Sequence, residues 1–310
     1  MTTEYSDKSS SCQGKPILPR LIGGAVLAGI TLGISSYASA YFATHPIRFR
    51  PKVTPEKYRY PYEDITFQSR DGLTISGWFL PSPGAKAGVV LCHGFPNNRS
   101  ETLFWARMLH EHGFHMLLFD FRALGNSEGK LCTIGYHEVN DLLGALDYFE
   151  QRPEMEGLPI GVFGLSMGGA VSIMTAAQDQ RIRVVATHGA YASLDRAIEQ
   201  HGRFLLGPLR SAYTRSTIYF GRRWFPVEPD QVAPVKVVEK LSPRPLLLMH
   251  GRRDLIVHPD DGRLLYESAK PPCKLIYHPR SWHVMVHPDD RRQYQEEFTS
   301  FFCNHLITGS

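Results

Sequence analysis

Within IGVFGLSMGGAVSIM, residues 160–174, a serine stands between glycines where one apolar run gives way to another. Gly-x-Ser-x-Gly arises by chance in roughly one chain of this length in ten, so the meaning of Ser166 depends on its surroundings. A serine hydroxyl becomes a nucleophile only when a base takes its proton, and that base needs a carboxylate to fix its ring. Both residue types follow in the chain, Asp254 in HGRRDLIVHP and His283 in RSWHVMVHP. Asp260 and Asp261 are the alternative acids, and His278 and His287 are the alternative bases, each otherwise an ordinary surface histidine. Acyl transfer also needs two N–H donors for the developing oxyanion. Met167, directly after the serine, supplies one; the loop His93-Gly94-Phe95-Pro96 supplies the other, with Phe95 preferred and Gly94 the alternative.

Such a set works only if the elements around it bring it together. PIGVFG reads as a short strand and MGGAVSIMTAAQ as the start of a helix, and Gly164, Gly168 and Gly169 allow the tight turn at Ser166. Asp254 and His283 each follow a strand-like run, PLLLMHG and KLIYHP, at the strand ends where ligands collect in open α/β sheets. EDITFQSRDGLTISGWFLP reads as a β-hairpin. Beyond it AGVVLCHG, FHMLLFD, PIGVFG, RVVATHG, PLLLMHG and KLIYHP are separated by helix-length segments, among them TLFWARMLHEHG and YHEVNDLLGALDYFEQRP. That alternation predicts an α/β fold with a mostly parallel sheet and helices on both faces. The spacing breaks once: residues 192–241 stand where a helix of roughly 10–15 residues is usual, which predicts a helical cap insertion. Residues 201–225 carry five Arg, six aromatics and no Asp or Glu. They read either as a solvated helix face over core aromatics or as a surface that lies on anionic lipid.

Taken in order, HGF, FDFRALGNSEG, GLSMGG, LSPRPLLLMHGRRDLIVHP and SWH resemble the α/β-hydrolase superfamily from about Asp64 to Leu306, specifically its Bem46-like or serine-aminopeptidase-like membrane-associated hydrolases. The resemblance implies cofactor-free hydrolysis of esters, thioesters or amides. Two positions depart from the family pattern. Ala123-Leu124 stand where a small, Gly-containing pair is usual, and Ser281-Trp282 precede His283 where Gly or Ala is usual, so Trp282 is expected to narrow the site entrance. The expected reaction is cleavage of an acyl ester or thioester through Ser166, His283 and Asp254. A serine aminopeptidase would need an acidic group to hold the substrate's amino end, and a non-catalytic binding or scaffold protein would not need the relay. Dehalogenase chemistry would need a carboxylate where this chain has Ser166.

The remaining composition sets the bounds. The chain has 310 residues, 43% hydrophobic and 21% charged, enough for one sizeable folded domain. A net charge of +4 without a recognition motif gives no reason to expect nucleic acid. The five cysteines are scattered without a C-x-x-C pair, which suits ordinary reduced thiols. His278, His283, His287, Asp289 and Asp290 match no metal-site spacing, and neither metal nor cofactor is expected.

Residues 21–44 are uncharged and, as a helix, would span about 36 Å against a hydrocarbon core of about 30 Å. They read as a single transmembrane anchor. The alternative is a signal peptide with Lys15 and Arg20 as its basic region and Ala38-Ser39-Ala40 as its cleavage site. In either case the segment is expected to lie outside the folded domain. Three basic residues precede it (Lys8, Lys15, Arg20) and five follow soon after (Arg48, Arg50, Lys52, Lys57, Arg59), which places the large domain on the cytoplasmic side; a cleaved signal would instead imply secretion. The expected organisation is a tail at 1–20, the anchor at 21–44, a linker at 45–62 and a hydrolase domain at 63–310, with its cap at 192–241.

Overall fold

The computed structural model describes residues 17–224 and 228–308. Most of the expected tail, with Lys8, Cys12 and Lys15, lies outside the described residues, as does Phe225 of the cap.

In chain order the elements are α1 (Ile17–Thr44), β1 (Glu63–Gln68), β2 (Thr74–Leu80), β3 (Ala87–Cys92), α2 (Leu103–His110), β4 (Phe114–Phe119), α3 (Glu138–Glu150), β5 (Ile160–Leu165), α4 (Met167–Ala176), β6 (Ile182–His188), α5 (Leu194–Leu206), α6 (Arg210–Gly221), β7 (Leu246–Gly251), α7 (Pro259–Ser268), β8 (Cys273–His278) and α8 (Arg291–Phe302). The strands form one sheet in the order β1-β2-β4-β3-β5-β6-β7-β8. β2 pairs antiparallel with both β1 and β4, and every pair from β4 to β8 is parallel. This is the expected mostly parallel α/β-hydrolase architecture.

The strand sequences explain that order. β3, β4, β5 and β7 are buried at every position, as uninterrupted apolar runs must be when helices cover both faces. Edge strand β1 buries only Phe67. One core cluster packs Phe119, Leu146 and Ile173 on one face of the sheet, and the other packs Leu118, Phe163 and Phe298 on the opposite face.

α5 and α6 fill the interval between β6 and β7. α1 does not lie apart from the domain, as the sequence suggested. Its C-terminal end packs against α6, where Tyr37 meets Phe220 and Trp224 edge-on with ring centroids 5.5 and 5.3 Å apart. Tyr41 and His45 contact the same Trp224. A periodicity reading cannot see this contact, because an all-apolar helix presents no face that marks its partner.

The segment after α1 is pinned along the domain. The Cys132 N–H donates to the Thr44 carbonyl at 2.9 Å. Arg48 donates to the carbonyls of Ser127, at 2.6 Å, and Gly129. Asn98 Nδ2 donates to the Phe49 carbonyl at 2.8 Å, and Ser100 Oγ to the Val53 carbonyl at 2.7 Å. The expected linker is therefore a strap across the loops that follow β3 and β4.

Candidate active site

β5 ends at Leu165 and α4 begins at Met167, so Ser166 alone makes the turn. It does so at φ 50° and ψ −115°, a backbone region that a residue with a side chain occupies only at a cost. Its N–H donates to the His188 carbonyl at 2.9 Å, and its own carbonyl accepts from Gly169 and Ala170 at 3.0 and 3.1 Å. A Cβ on Gly164 would lie 2.2 Å from the Gly168 carbonyl oxygen, and one on Gly168 would lie 2.4 Å from that of Cys92. Only glycine lets β3, β5 and α4 come this close.

His283, on the loop after β8, joins the other two residues. Its Nε2 is 2.8 Å from Ser166 Oγ, and its Nδ1 is 2.7 Å from Asp254 Oδ2. The carboxylate is tied down as well: Asp254 Oδ1 accepts the N–H groups of Ile256 and Val257, both at 2.9 Å. Burial pushes the Asp254 carboxyl up, but the hydrogen bonds from His250 and His283 and their positive potential outweigh it and hold the group well below the usual carboxylate range. A carboxylate that stays ionised beside Nδ1 keeps the ring proton there and leaves Nε2 free to accept the serine's.

Sequence reasoning missed His250. Its Nε2 lies 3.2 Å from Asp254 Oδ2 and 3.1 Å from the Val257 carbonyl, so its N–H donates to both sides of the acid's turn. The signal was present: His250 is the penultimate residue of β7 and precedes Asp254 by four residues. The alternatives have other partners. Asp261 is taken by Arg196 at 2.5 Å, and Asp260 is exposed beside Arg263. His287 accepts the Asp289 N–H at 3.2 Å. His278 is no surface residue: it is fully buried, with its ring 4.7 Å from that of Tyr294.

Both expected oxyanion donors border the cavity in front of Ser166. Met167 opens α4, so its N–H is among those a helix leaves unpaired. The Gly94 amide is already committed to Glu101 Oε2 at 2.7 Å, which leaves the adjacent Phe95 amide as the candidate on that loop.

The cavity has a volume of about 750 Å³, within the roughly 300–1,000 Å³ of sites that take drug-sized ligands. It runs from Ser166 and His283 between α1 and the cap, and its described lining includes no Asp or Glu. Trp282 does not line it, contrary to expectation: the indole turns onto the His287 ring, with centroids 5.6 Å apart. Ala123 takes φ 58°, so it adopts the left-handed turn that the more usual glycine would take without strain.

The sequence matches the family described as serine aminopeptidase, S33, over residues 83–221. The uncharacterized protein YfhR of Escherichia coli (strain K12) is 27% identical over 79% of this chain and 81% of its own length. The α/β-hydrolase domain-containing protein WAV2 of Arabidopsis thaliana is 26% identical over 84% of this chain and 86% of its own. Among solved structures, the Pyrococcus furiosus esterase Pf2001 superposes with a TM-score of 0.72 at 23% identity, covering 85% of this chain and 98% of that one. With the sheet order and the Ser166 turn, these matches make the chain a member of the α/β-hydrolase superfamily. They support hydrolase chemistry in general.

Proposed function

We propose that the protein is a serine hydrolase that cleaves esters or thioesters with an apolar acyl group. Ser166 Oγ attacks the acyl carbonyl carbon as His283 Nε2 takes its proton, and the N–H groups of Phe95 and Met167 hold the resulting oxyanion. His283 then gives that proton to the departing alcohol or thiol, leaving an acyl group on Ser166. Water attacks the acyl-enzyme while His283 accepts its proton, and Ser166 is restored as the acid leaves. Asp254 orients the imidazole and stabilises its charged form, and His250 positions Asp254.

The observation that carries this reading is the Ser166–His283–Asp254 chain of 2.8 and 2.7 Å contacts opening onto a cavity whose described lining holds no carboxylate. An aminopeptidase would need such a group to pair with the substrate's ammonium, so the lining favours acyl esters over peptides with a free amino end. Within this reading residues 21–44 are a retained membrane anchor, residues 63–310 are the catalytic domain with its cap at 192–241, and that domain faces the cytoplasm. The test is to compare p-nitrophenyl esters, acyl thioesters and aminoacyl arylamides as substrates, with fluorophosphonate labelling of Ser166 alongside. Turnover confined to arylamides would give the aminopeptidase. Neither labelling nor turnover would give the scaffold protein.

A further inference from the structure

One wall of the cavity at Ser166 is supplied by an element outside the sheet and its covering helices. Ala38, Ala40 and Ala43 of α1 line it, facing Tyr213, Thr217 and Ile218 of α6. Small side chains at these three α1 positions leave open the space that the cavity occupies. The wall is held in place by Tyr37, Tyr41 and His45 against Phe220 and Trp224, and by the strap that follows.

At the mouth Phe42, Ile47, Phe49 and Ile256 line the cavity while remaining exposed. Further up the same helix Ile22, Val26, Leu27, Ile30 and Ile34 are uncovered, on a span long and apolar enough to cross a membrane. α1 thus connects an apolar environment at one end to the side of the candidate nucleophile at the other. A cut after Ala40 would remove part of the cavity wall together with Tyr37 of the clamp.

We propose that α1 is retained as the wall of an acyl-chain site, and that the substrate is a membrane lipid whose acyl chain passes from the bilayer along α1 to Ser166. This rests on the serine-hydrolase reading above. Each methylene buried in such a site raises affinity roughly fourfold, so chain length is the property to vary.

The full chain in phosphatidylcholine vesicles is assayed on p-nitrophenyl butyrate and p-nitrophenyl palmitate, with fluorophosphonate labelling in parallel. The wild type should favour palmitate by roughly tenfold or more in kcat/KM. Ala38→Trp and Ala43→Trp should each lower the palmitate-to-butyrate ratio by a similar factor while still labelling, and Tyr266→Trp, exposed on α7, should leave the ratio unchanged. The proposal is overturned by an unchanged ratio in both α1 variants, by a wild type that favours butyrate, or by a mature chain beginning at Tyr41. Faster hydrolysis of palmitoyl-coenzyme A in vesicle-free buffer than of the vesicle-borne ester overturns the membrane source. If neither α1 variant labels, the wild-type chain-length profile and the mature N-terminus decide. A wild type that neither labels nor turns over any ester removes the hydrolase reading itself, a result distinct from all of these.

Discussion

The C-terminal end of the sheet, which carries Ser166, Asp254 and His283, differs in kind from the α1–cap side that encloses the space in front of it. At the strand ends these groups are fixed by short contacts: the Ser166 amide on His188, the Asp254 carboxylate on two backbone N–H groups, the imidazole between them. On the other side the contacts are aromatic edges and small apolar residues, and Phe204, Leu205, Leu209 and Tyr219 of the cap stay exposed, as do Ile22, Val26, Leu27, Ile30 and Ile34 of α1. Preorganised polar geometry suits bond-breaking, because donors fixed in advance need no reorganisation at the transition state. An apolar wall built with small side chains suits the selection of a chain by its length. Under the proposed function, reaction and choice of substrate fall to different parts of the chain.

The contrast can be broken at several points. Ser166→Ala should reduce ester turnover roughly a million-fold and abolish fluorophosphonate labelling, as intact-mass analysis would show; residual turnover near wild type would place the nucleophile elsewhere. Asp254→Asn should fold normally and lose on the order of ten-thousand-fold in kcat, measured by steady-state kinetics with circular dichroism as the fold control. Near-wild-type turnover in that variant would detach the acid from the relay.

The pH dependence of stability sharpens the comparison, because the sheet side is rich in buried imidazoles. Burial pulls His188 down to about 3 and lowers His93 and His278 in the same direction. Below the ordinary histidine value of 6.5 the unfolded chain binds protons that the folded chain refuses, so stability is full above that value and declines on acidification towards about 3. His188 alone should cost on the order of 3 kcal/mol between pH 6.5 and pH 4. Urea unfolding across that range should show the decline, and His188→Gln should flatten it; an equal slope in the variant would take His188 out of the account.

Two milder tests remain. The full-length chain should stay in the membrane pellet through alkaline carbonate washing, since α1 meets the length and hydropathy of a span; release into the supernatant would reduce α1 to a helix of the soluble domain. Asp260→Asn should change neither kcat by more than about twofold nor stability by more than about 0.5 kcal/mol, the usual size for a surface substitution.

What the sequence made legible follows the same division. Motif spacing placed Ser166, Asp254 and His283 at strand ends, and apolar runs marked all eight strands, because those features are local and period-driven. The contact between α1 and α6 was not legible, since it joins residues nearly two hundred positions apart through rings that carry no pattern. His250 was hidden inside an apolar strand, where a histidine reads as core until its neighbour across the turn is known. The strap reads as a linker in the sequence because its proline and basic composition says nothing about the carbonyls it offers.

The shared wall also bears on how the protein can be divided. A chain begun at residue 45 keeps Ser166, Asp254, His283 and the amides of Phe95 and Met167, yet its cavity is open along the side that α1 closes. On the proposed function, such a truncated protein would work like a blade without its gauge, cutting short esters and long ones with little to tell them apart. On that proposal the first helix, which looks detachable, is where the molecule keeps its ruler.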